Sequence, residues 1–322
     1  MRIVIKLGTN VLTKNGKIDR SLIGSIVSQI ASLKKSGHHF IIVTSGAIGL
    51  GASELGITEK VREMKLKQAT AAIGQIALME QYRACLKKHG LKAAQLLLSY
   101  SDFSDRKRYL NLRTSIETLM KLNVIPIINE NDPVSIDEIG PSFGDNDKLS
   151  ALVALKTDAD MLLILTDVRG LYNKNPKTSN DAQLIRVVDN ITPEIEHAAQ
   201  KSGSTFSVGG MKTKISAAKI CMDAGCDVVI ASGREKDVIA HALNNETGTR
   251  FVSRKKMSNR QRWILHSQPK GTITLDCGGA KEALLNNNSL LPAGIASCDS
   301  NFKKNDVVEI KDVGKATVDH SS

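Results

Sequence analysis

Two lysines, each close to a glycine-bearing turn, are the residues of this chain best placed to do chemistry. Lys6 closes an apolar run in MRIVIKLGTN, and Lys214 closes VGGMKTK at 208–214. A second glycine turn, SGAIG at 45–49, also precedes a helical stretch. Turns of this kind can present backbone N–H groups and a helix N-terminus to a phosphate. A phosphoryl group in flight needs positive charge on both sides, which a pair of lysines supplies. Either lysine alone would read as a surface cation; together, at the ends of a strand and a glycine turn, they read as a site. Neither G-x-x-x-x-G-K-[ST] nor G-x-G-x-x-G occurs, so the P-loop and Rossmann fingerprints are absent.

These groups need a scaffold, and the apolar pattern supplies one. Short runs rich in Val, Ile and Leu fall at Ile3–Ile5, Phe40–Val43, Ala94–Leu98, Val124–Ile128, Met161–Leu165 and Val228–Ala231. They are nearly continuous, as parallel strands buried on both faces are. Segments of helical period lie between them: Ser21–Lys35, Val61–Lys88, Arg106–Lys121 and Lys214–Ala224. The alternation predicts a three-layer α/β/α sandwich with a mainly parallel sheet. In such sheets ligands bind beyond the carboxyl ends of the strands. Here those ends read Lys6-Leu7-Gly8-Thr9-Asn10, Thr44-Ser45-Gly46, Asn129-Glu130-Asn131-Asp132 and Thr166-Asp167. Four endings bearing Lys, Ser, Asn and Asp on one edge point to a shared site.

Composition narrows the classes. The 322 residues include 44 Lys or Arg against 33 Asp or Glu, a formal +11, with 41% hydrophobic and 3% aromatic residues. That excludes a disordered chain, a collagen and a coiled coil, and requires an aliphatic core. No apolar run approaches the roughly 20 residues of a membrane span. The MRIVIKLG start reads as a strand and not as a signal peptide, so a soluble, cytoplasmic protein is expected. Cysteines at 85, 221, 226, 277 and 298 form no CxxC, and the histidines lack ligand spacing, so neither a disulfide framework nor a metal site is expected. The segment Gly144-Asp145-Asn146-Asp147-Lys148 suggests a calcium loop. It fails as one, with Ser150 and Lys156 where an EF-hand needs Gly and Glu. It reads instead as a polar loop opening a helix, with Asp147 able to orient a lysine.

The pattern changes near Thr247. The stretch TRFVSRKKMSNRQR at 249–262 is basic and aperiodic and reads as a linker. Short runs then follow at Trp263–Leu265, Thr272–Leu275 and Val307–Ile310, with a helix-like piece at Ala280–Leu285. The expected division is 1–248, a linker over 249–262, and a small β-rich module over 263–322 that is marginal alone. Residues 250–322 carry 12 Lys or Arg against 7 Asp or Glu, which permits nucleic-acid contact but fits a solvated face as well.

Taken together, KLGTN, TSGAIG, NENDPVS, GDND, LLILTDVRGLY and GGMKTK resemble the amino acid kinase family, in its glutamate 5-kinase branch. The pairing of NEND with GDND separates that branch from uridylate, carbamate, acetylglutamate and aspartate kinases. The tail, through RWIL, KGTITLD, SLLPAGI and FKKNDVVEI, is similar to a PUA domain. The resemblance implies ATP-dependent phosphorylation of the γ-carboxylate of L-glutamate, the first step of proline synthesis. It implies that Lys6 and Lys214 stabilise the transferring group and that Asp147 holds both ammonium groups. Ser45, Asp132 and Asn146 would bind glutamate, Asp132 at the α-ammonium group, with Asn129 shaping the pocket and the backbone N–H groups of Gly8 and Gly46 near the phosphates or the γ-carboxylate. ATP would be bound by Lys6, Gly8, Thr166, Asp167, Val208, Gly209, Gly210, Met211, Lys212, Thr213 and Lys214. Magnesium would be held mainly by the nucleotide phosphates. Feedback inhibition by proline and a homo-oligomer, dimer or tetramer, are further implications.

A γ-carboxylate of pKa about 4.3 is ionised at neutral pH, so the chemistry asks for no general base. The lack of a Ser-His-Asp or Cys-His constellation agrees with that. Two departures stand out. Ser207-Val208-Gly209-Gly210 replaces the usual Gly-Thr-Gly-Gly and removes a hydroxyl from the nucleotide loop. The chain also stops at VGKATVDHSS, short of a full PUA barrel, so the tail module is expected to be incomplete. A sister kinase acting on another carboxylate or phosphate, and an RNA-binding protein with a secondary kinase fold, remain alternatives at this stage.

Overall fold

The computed structural model describes residues 1–14, 17–134, 146–176, 178–179, 181–196, 210–253, 261, 264, 267, 269–276, 290 and 292–319. The chain divides into two compact units, Met1–Asp102 with Lys107–Met257, and Phe103–Arg106 with Ser258–Ser322.

The larger unit is built on an eight-stranded sheet. Its strands are β1 (Arg2–Leu7), β2 (His39–Val43), β3 (Lys92–Leu98), β4 (Val124–Glu130), β5 (Met161–Thr166), β6 (Val187–Val188), β7 (Asp227–Ser232) and β8 (Thr249–Phe251). Their spatial order is β3-β4-β2-β1-β5-β7-β8-β6. The first six positions run parallel, and β8 lies antiparallel to β7. The central strands are fully buried apolar runs, which is why they stand out in the sequence.

Helices cover the sheet: α1 (Arg20–Lys35), α2 (Ala47–Glu54), α3 (Met64–Lys87), α4 (Arg106–Lys121), α5 (Asn146–Lys156), α6 (Met211–Asp223) and α7 (Val238–Leu243). α1 shows how local sequence sets an element. The Asp19 side chain accepts from Leu22 N–H at 3.1 Å and caps its start. Leu22, Ile23, Ile26, Val27 and Ile30 then recur at helical spacing and bury against the core. α5 is different, because nearly every side chain from Leu149 to Lys156 is buried, as in a helix enclosed on all sides.

Register places the polar strand ends side by side. Lys6 lies opposite both Val43 and Ile164, and Val43 lies opposite Ile128. Lys6, Thr44, Asn129 and Thr166 therefore share one edge of the sheet. The chain runs outward from β1 to β2 and the edge strand β3, returns to β4 between them, then crosses to β5 on the other side of β1. Ligands favour such a switch of direction.

One expectation is corrected here. Thr249–Phe251, expected to begin a linker, forms β8 between β7 and β6. Thr249 and Phe251 are fully buried, and the Arg250 side chain pairs with Asp227 at 2.5 Å. The period-two burial of this short piece is hidden by the basic run that follows it. The helix-like segment Ala280–Leu285, and Trp263 and Leu265 of the run at 263–265, lie outside the described residues.

The smaller unit carries a four-stranded sheet, β9 (Thr272–Leu275), β10 (Ile295–Cys298), β11 (Val307–Ile310) and β12 (Gly314–Thr317), in the order β10-β9-β11-β12. Its core is small, with Ile273, Phe302 and Val308 packed against Leu275, Leu290 and Ile295. Among the described residues no helix is long and apolar enough to cross a membrane. Cys85, Cys221, Cys226 and Cys298 are free thiols. The neighbouring Cys226 thiol and burial hold the Cys221 thiol well above its ordinary pKa, so it stays protonated and unreactive.

Candidate active site

The site begins at the carboxyl end of β1. Lys6 Nζ meets Asp147 Oδ1 at 2.6 Å, and Lys214 Nζ meets Asp147 Oδ2 at 3.1 Å. All three side chains are almost wholly buried, at 4%, 6% and 0% exposure. The three charges sum to a buried +1. A surplus cation is expensive in a low-dielectric interior unless an anion arrives to share it. Thr213 Oγ1 adds a contact at 2.8 Å to Asp147 Oδ2 and stands 2.8 Å from Gly210 O.

Two helix N-termini face this cluster. Asp147 is in the first turn of α5, and Thr213 and Lys214 are in the first turn of α6, whose N-cap is Gly210. The partial positive charge at each helix start reinforces the lysines. Asp147 is kept in place as the second residue of α5, and Ser150 Oγ donates to its carbonyl at 2.6 Å.

Asn146, one residue earlier, faces a cavity of about 150 Å³ lined by Ser45, Gly46, Ala47, Asn129, Asp132 and itself, among others. Asn146 Nδ2 lies within 2.5 Å of Thr44 O, 2.9 Å of Ser45 Oγ and 2.9 Å of Asn129 Oδ1. Asn129 Nδ2 donates in turn to Gln75 Oε1 at 2.8 Å. The cavity therefore has a hydroxyl, amides and a carboxylate on its walls, directly beside the buried cation pair. Gly46 turns the chain from β2 into α2 at φ +98°, a conformation that glycine alone adopts without strain.

Of the residues read from the sequence as binding the amino-acid acceptor, Ser45, Gly46, Asn129, Asp132 and Asn146 all line this one cavity. On the nucleotide side, Gly8 donates its N–H to Leu165 O at 3.3 Å. Thr166 is buried at the end of β5 with its hydroxyl 3.0 Å from Asp167 Oδ1. Gly210, Met211 and Thr213 sit at the start of α6 and Lys212 is exposed there. Val208 and Gly209 lie outside the described residues.

Residues 1–232 match the amino acid kinase family, and residues 271–318 match the PUA domain family. A glutamate 5-kinase of Methanosarcina barkeri is 50% identical over 98% of this chain and 84% of its own. One from Caldanaerobacter subterraneus is 43% identical over 100% and 88%. This chain belongs to the glutamate 5-kinase family. Among solved structures, carbamate kinase from Giardia lamblia bound to AMP-PNP superposes with a TM-score of 0.57 at 20% identity. That superposition covers 79% of this chain and 98% of the other. UMP kinase from Ureaplasma parvum gives 0.53 at 17% identity, over 78% and 98%. These likenesses establish the shared kinase fold.

Several residues of this glutamate 5-kinase family member escaped the sequence reading. Thr213, read as a nucleotide contact, also bonds the carboxylate that holds the lysines. Gly51 and Gly74 set how closely α2 crosses α3. A Cβ on Gly51 would lie 1.8 Å from Thr70 O, and one on Gly74 would lie 2.0 Å from Ala47 O. Only glycines permit that crossing, and it brings Gln75 of α3 beside Asn129. Two glycines in helical segments carry no periodic signal, so the crossing could be found only from the packed structure.

Among the described residues no three His, Cys, Asp or Glu side chains come together as a metal cage. The buried carboxylate of the site, Asp147, is engaged by two ammonium groups. Two ammonium groups converging on Asp147 suit an anionic ligand.

Proposed function

We propose that this chain transfers the γ-phosphoryl group of ATP to the γ-carboxylate of L-glutamate, giving L-glutamyl 5-phosphate for proline synthesis. The observation that carries the reading is the buried Lys6–Asp147–Lys214 cluster of net charge +1 beside a cavity lined by Ser45, Asn129, Asp132 and Asn146.

The acceptor carboxylate arrives ionised and attacks phosphorus without a base. Catalysis then rests on alignment and charge neutralisation. Lys6 and Lys214 share the charge that spreads over the equatorial oxygens, and Asp147 keeps both ammonium groups converged. The positive starts of α5 and α6 act in the same direction. In the cavity, Asp132 receives the α-ammonium group, and Ser45 and Asn146 hold the rest of the amino acid, with Asn129 and Gly46 shaping the wall. Gly8, Thr166, Asp167 and the segment from Val208 to Lys214 form the nucleotide side. Magnesium, carried by the ATP phosphates, neutralises phosphate charge there. The same reading assigns proline as an end-product inhibitor, a homo-oligomeric assembly and a cytoplasmic location.

A panel of acceptors with ADP release as the readout tests the reading. L-Glutamate should stimulate ADP formation well above L-aspartate, N-acetyl-L-glutamate, carbamate and UMP. Stimulation by another acceptor with none by L-glutamate would overturn it.

A further inference from the structure

We propose that Gln75, on α3 and outside every motif, is a positioning residue that anchors the Asn129 amide on the wall of the acceptor cavity. The inference rests on the glutamate reading above. Gln75 is about nine-tenths buried, and its Oε1 accepts from Asn129 Nδ2 at 2.8 Å. Its other end is uncompensated, since Nε2 is buried with no hydrogen-bond partner among the described residues. A buried unsatisfied N–H is a standing penalty. A leucine at this position would not carry it. The residue keeps a polar group whose useful end is the acceptor facing Asn129.

The bonds beyond Gln75 run in one direction. Thr44 O is a backbone carbonyl and can only accept, so the amide end pointed at it by Asn146 must be Nδ2. That same nitrogen lies 2.9 Å from Asn129 Oδ1, so Asn129 must turn its carbonyl toward Asn146 and its NH2 toward Gln75. Only an acceptor can stand at the Gln75 end. At the other end, Ser45 Oγ lies 2.9 Å from Asn146 Nδ2, an amide nitrogen that cannot accept, so the Ser45 hydroxyl hydrogen points elsewhere and can serve an acceptor in the cavity. Asn146 is left with Oδ1 as the polar end that can meet a donor. The cavity thus offers a donor at Ser45, an acceptor at Asn146 and a carboxylate at Asp132. Asp132 and Asn146 Oδ1 can receive an ammonium group, and the Ser45 hydroxyl can meet one carboxylate oxygen. Without Gln75 Oε1, the Asn129 NH2 loses its acceptor, and the bond to Asn146 alone is left to hold that amide in place.

The close crossing of α2 and α3 at Gly51 and Gly74 holds the relay in register. Gln75 directly follows Gly74, so the side chain is delivered to Asn129 by the backbone contact itself.

The test compares wild type, Gln75→Leu, Gln75→Glu, Asn129→Ala and the Gln75→Leu/Asn129→Ala double variant by steady-state kinetics. Gln75→Leu should raise the glutamate KM about tenfold, with the ATP KM and kcat within about twofold of wild type. Gln75→Glu restores an acceptor and should bring the glutamate KM back to within about threefold. The double variant should be no worse than Asn129→Ala, because Gln75 acts through Asn129. An unchanged glutamate KM in Gln75→Leu overturns the proposal. So does a parallel rise in both KM values, a failure of Gln75→Glu to rescue, or full additivity in the double variant. The Asn129 side-chain amide resonances give a readout independent of turnover. They should be shifted and protected in wild type and move to free-amide positions in Gln75→Leu, and no change overturns the proposal. Wild type inactive with glutamate but showing that spectral response would sink the substrate reading while leaving the relay standing.

Discussion

Replacing Asp147 by Asn removes one negative charge from between two buried ammonium groups while keeping the side chain's size. At 2.6 and 3.1 Å, each attraction is on the order of 5–6 kcal/mol at an effective dielectric of about 20. Much of that is offset by the desolvation already borne by the three groups. The expected loss of stability is therefore about 3–5 kcal/mol, the range found when one partner of a buried pair is deleted. In a unit of this size that lowers Tm by roughly 10 °C. A polyanion should recover part of the loss by occupying the orphaned cation pair, and ATP should raise the variant's Tm more than the wild type's. The kcat should fall by about a hundredfold, the usual effect of disturbing preorganised charge. Thermal melts and ADP release measure both effects. A Tm within about 2 °C of wild type together with a kcat within about threefold would refute the reasoning.

Other perturbations probe separate parts of the account. Asp132→Ala should raise the glutamate KM by roughly 10–100-fold, the value of a charged hydrogen bond, with the ATP KM nearly unchanged, in initial-rate kinetics. Gly74→Ala must push α2 off α3, because its Cβ would lie 2.0 Å from Ala47 O; a loss of about 1–3 kcal/mol in denaturant unfolding is expected. Lys156 is buried with its ammonium 4.5 Å from the Tyr109 ring centroid, and burial pushes its pKa down to about 8. Below that value the fold carries the full penalty of the buried charge, and the penalty lifts as pH rises from about 8 toward the unfolded value of 10.5. Lys156→Met should therefore raise Tm at pH 7, by less at pH 10, with the lost cation–π contact as the opposing contribution.

The sheet was legible because parallel central strands are continuous apolar runs, and Ile3–Ile5, Phe40–Val43 and Met161–Leu165 need no context to be seen. Lys6 and Lys214 were legible because the first closes such a run and the second closes a glycine-bearing turn. Residues that act through tertiary contacts were not. Gln75 lies in a mixed stretch of α3, and its partner Asn129 is 54 residues away. The role of Thr213 depends on α6 reaching α5, and that of Gly51 and Gly74 on two helices crossing at backbone contact. Thr249–Phe251 was masked by the basic run after it, since three residues carry too short an alternation to announce a strand. The residues alone pointed to Asp147 orienting one lysine and the family resemblance implied that it holds both; packing β1, α5 and α6 brings the three side chains together.

Phosphoryl transfer at this site should make an acyl phosphate on glutamate. The most direct measurement incubates the protein with ATP, magnesium and hydroxylamine, with and without L-glutamate, and assays γ-glutamyl hydroxamate alongside ADP. Hydroxamate formed in step with glutamate-dependent ADP release, and abolished in Lys214→Ala, is the result expected. ADP release that ignores glutamate, or that yields no hydroxamate, would contradict it.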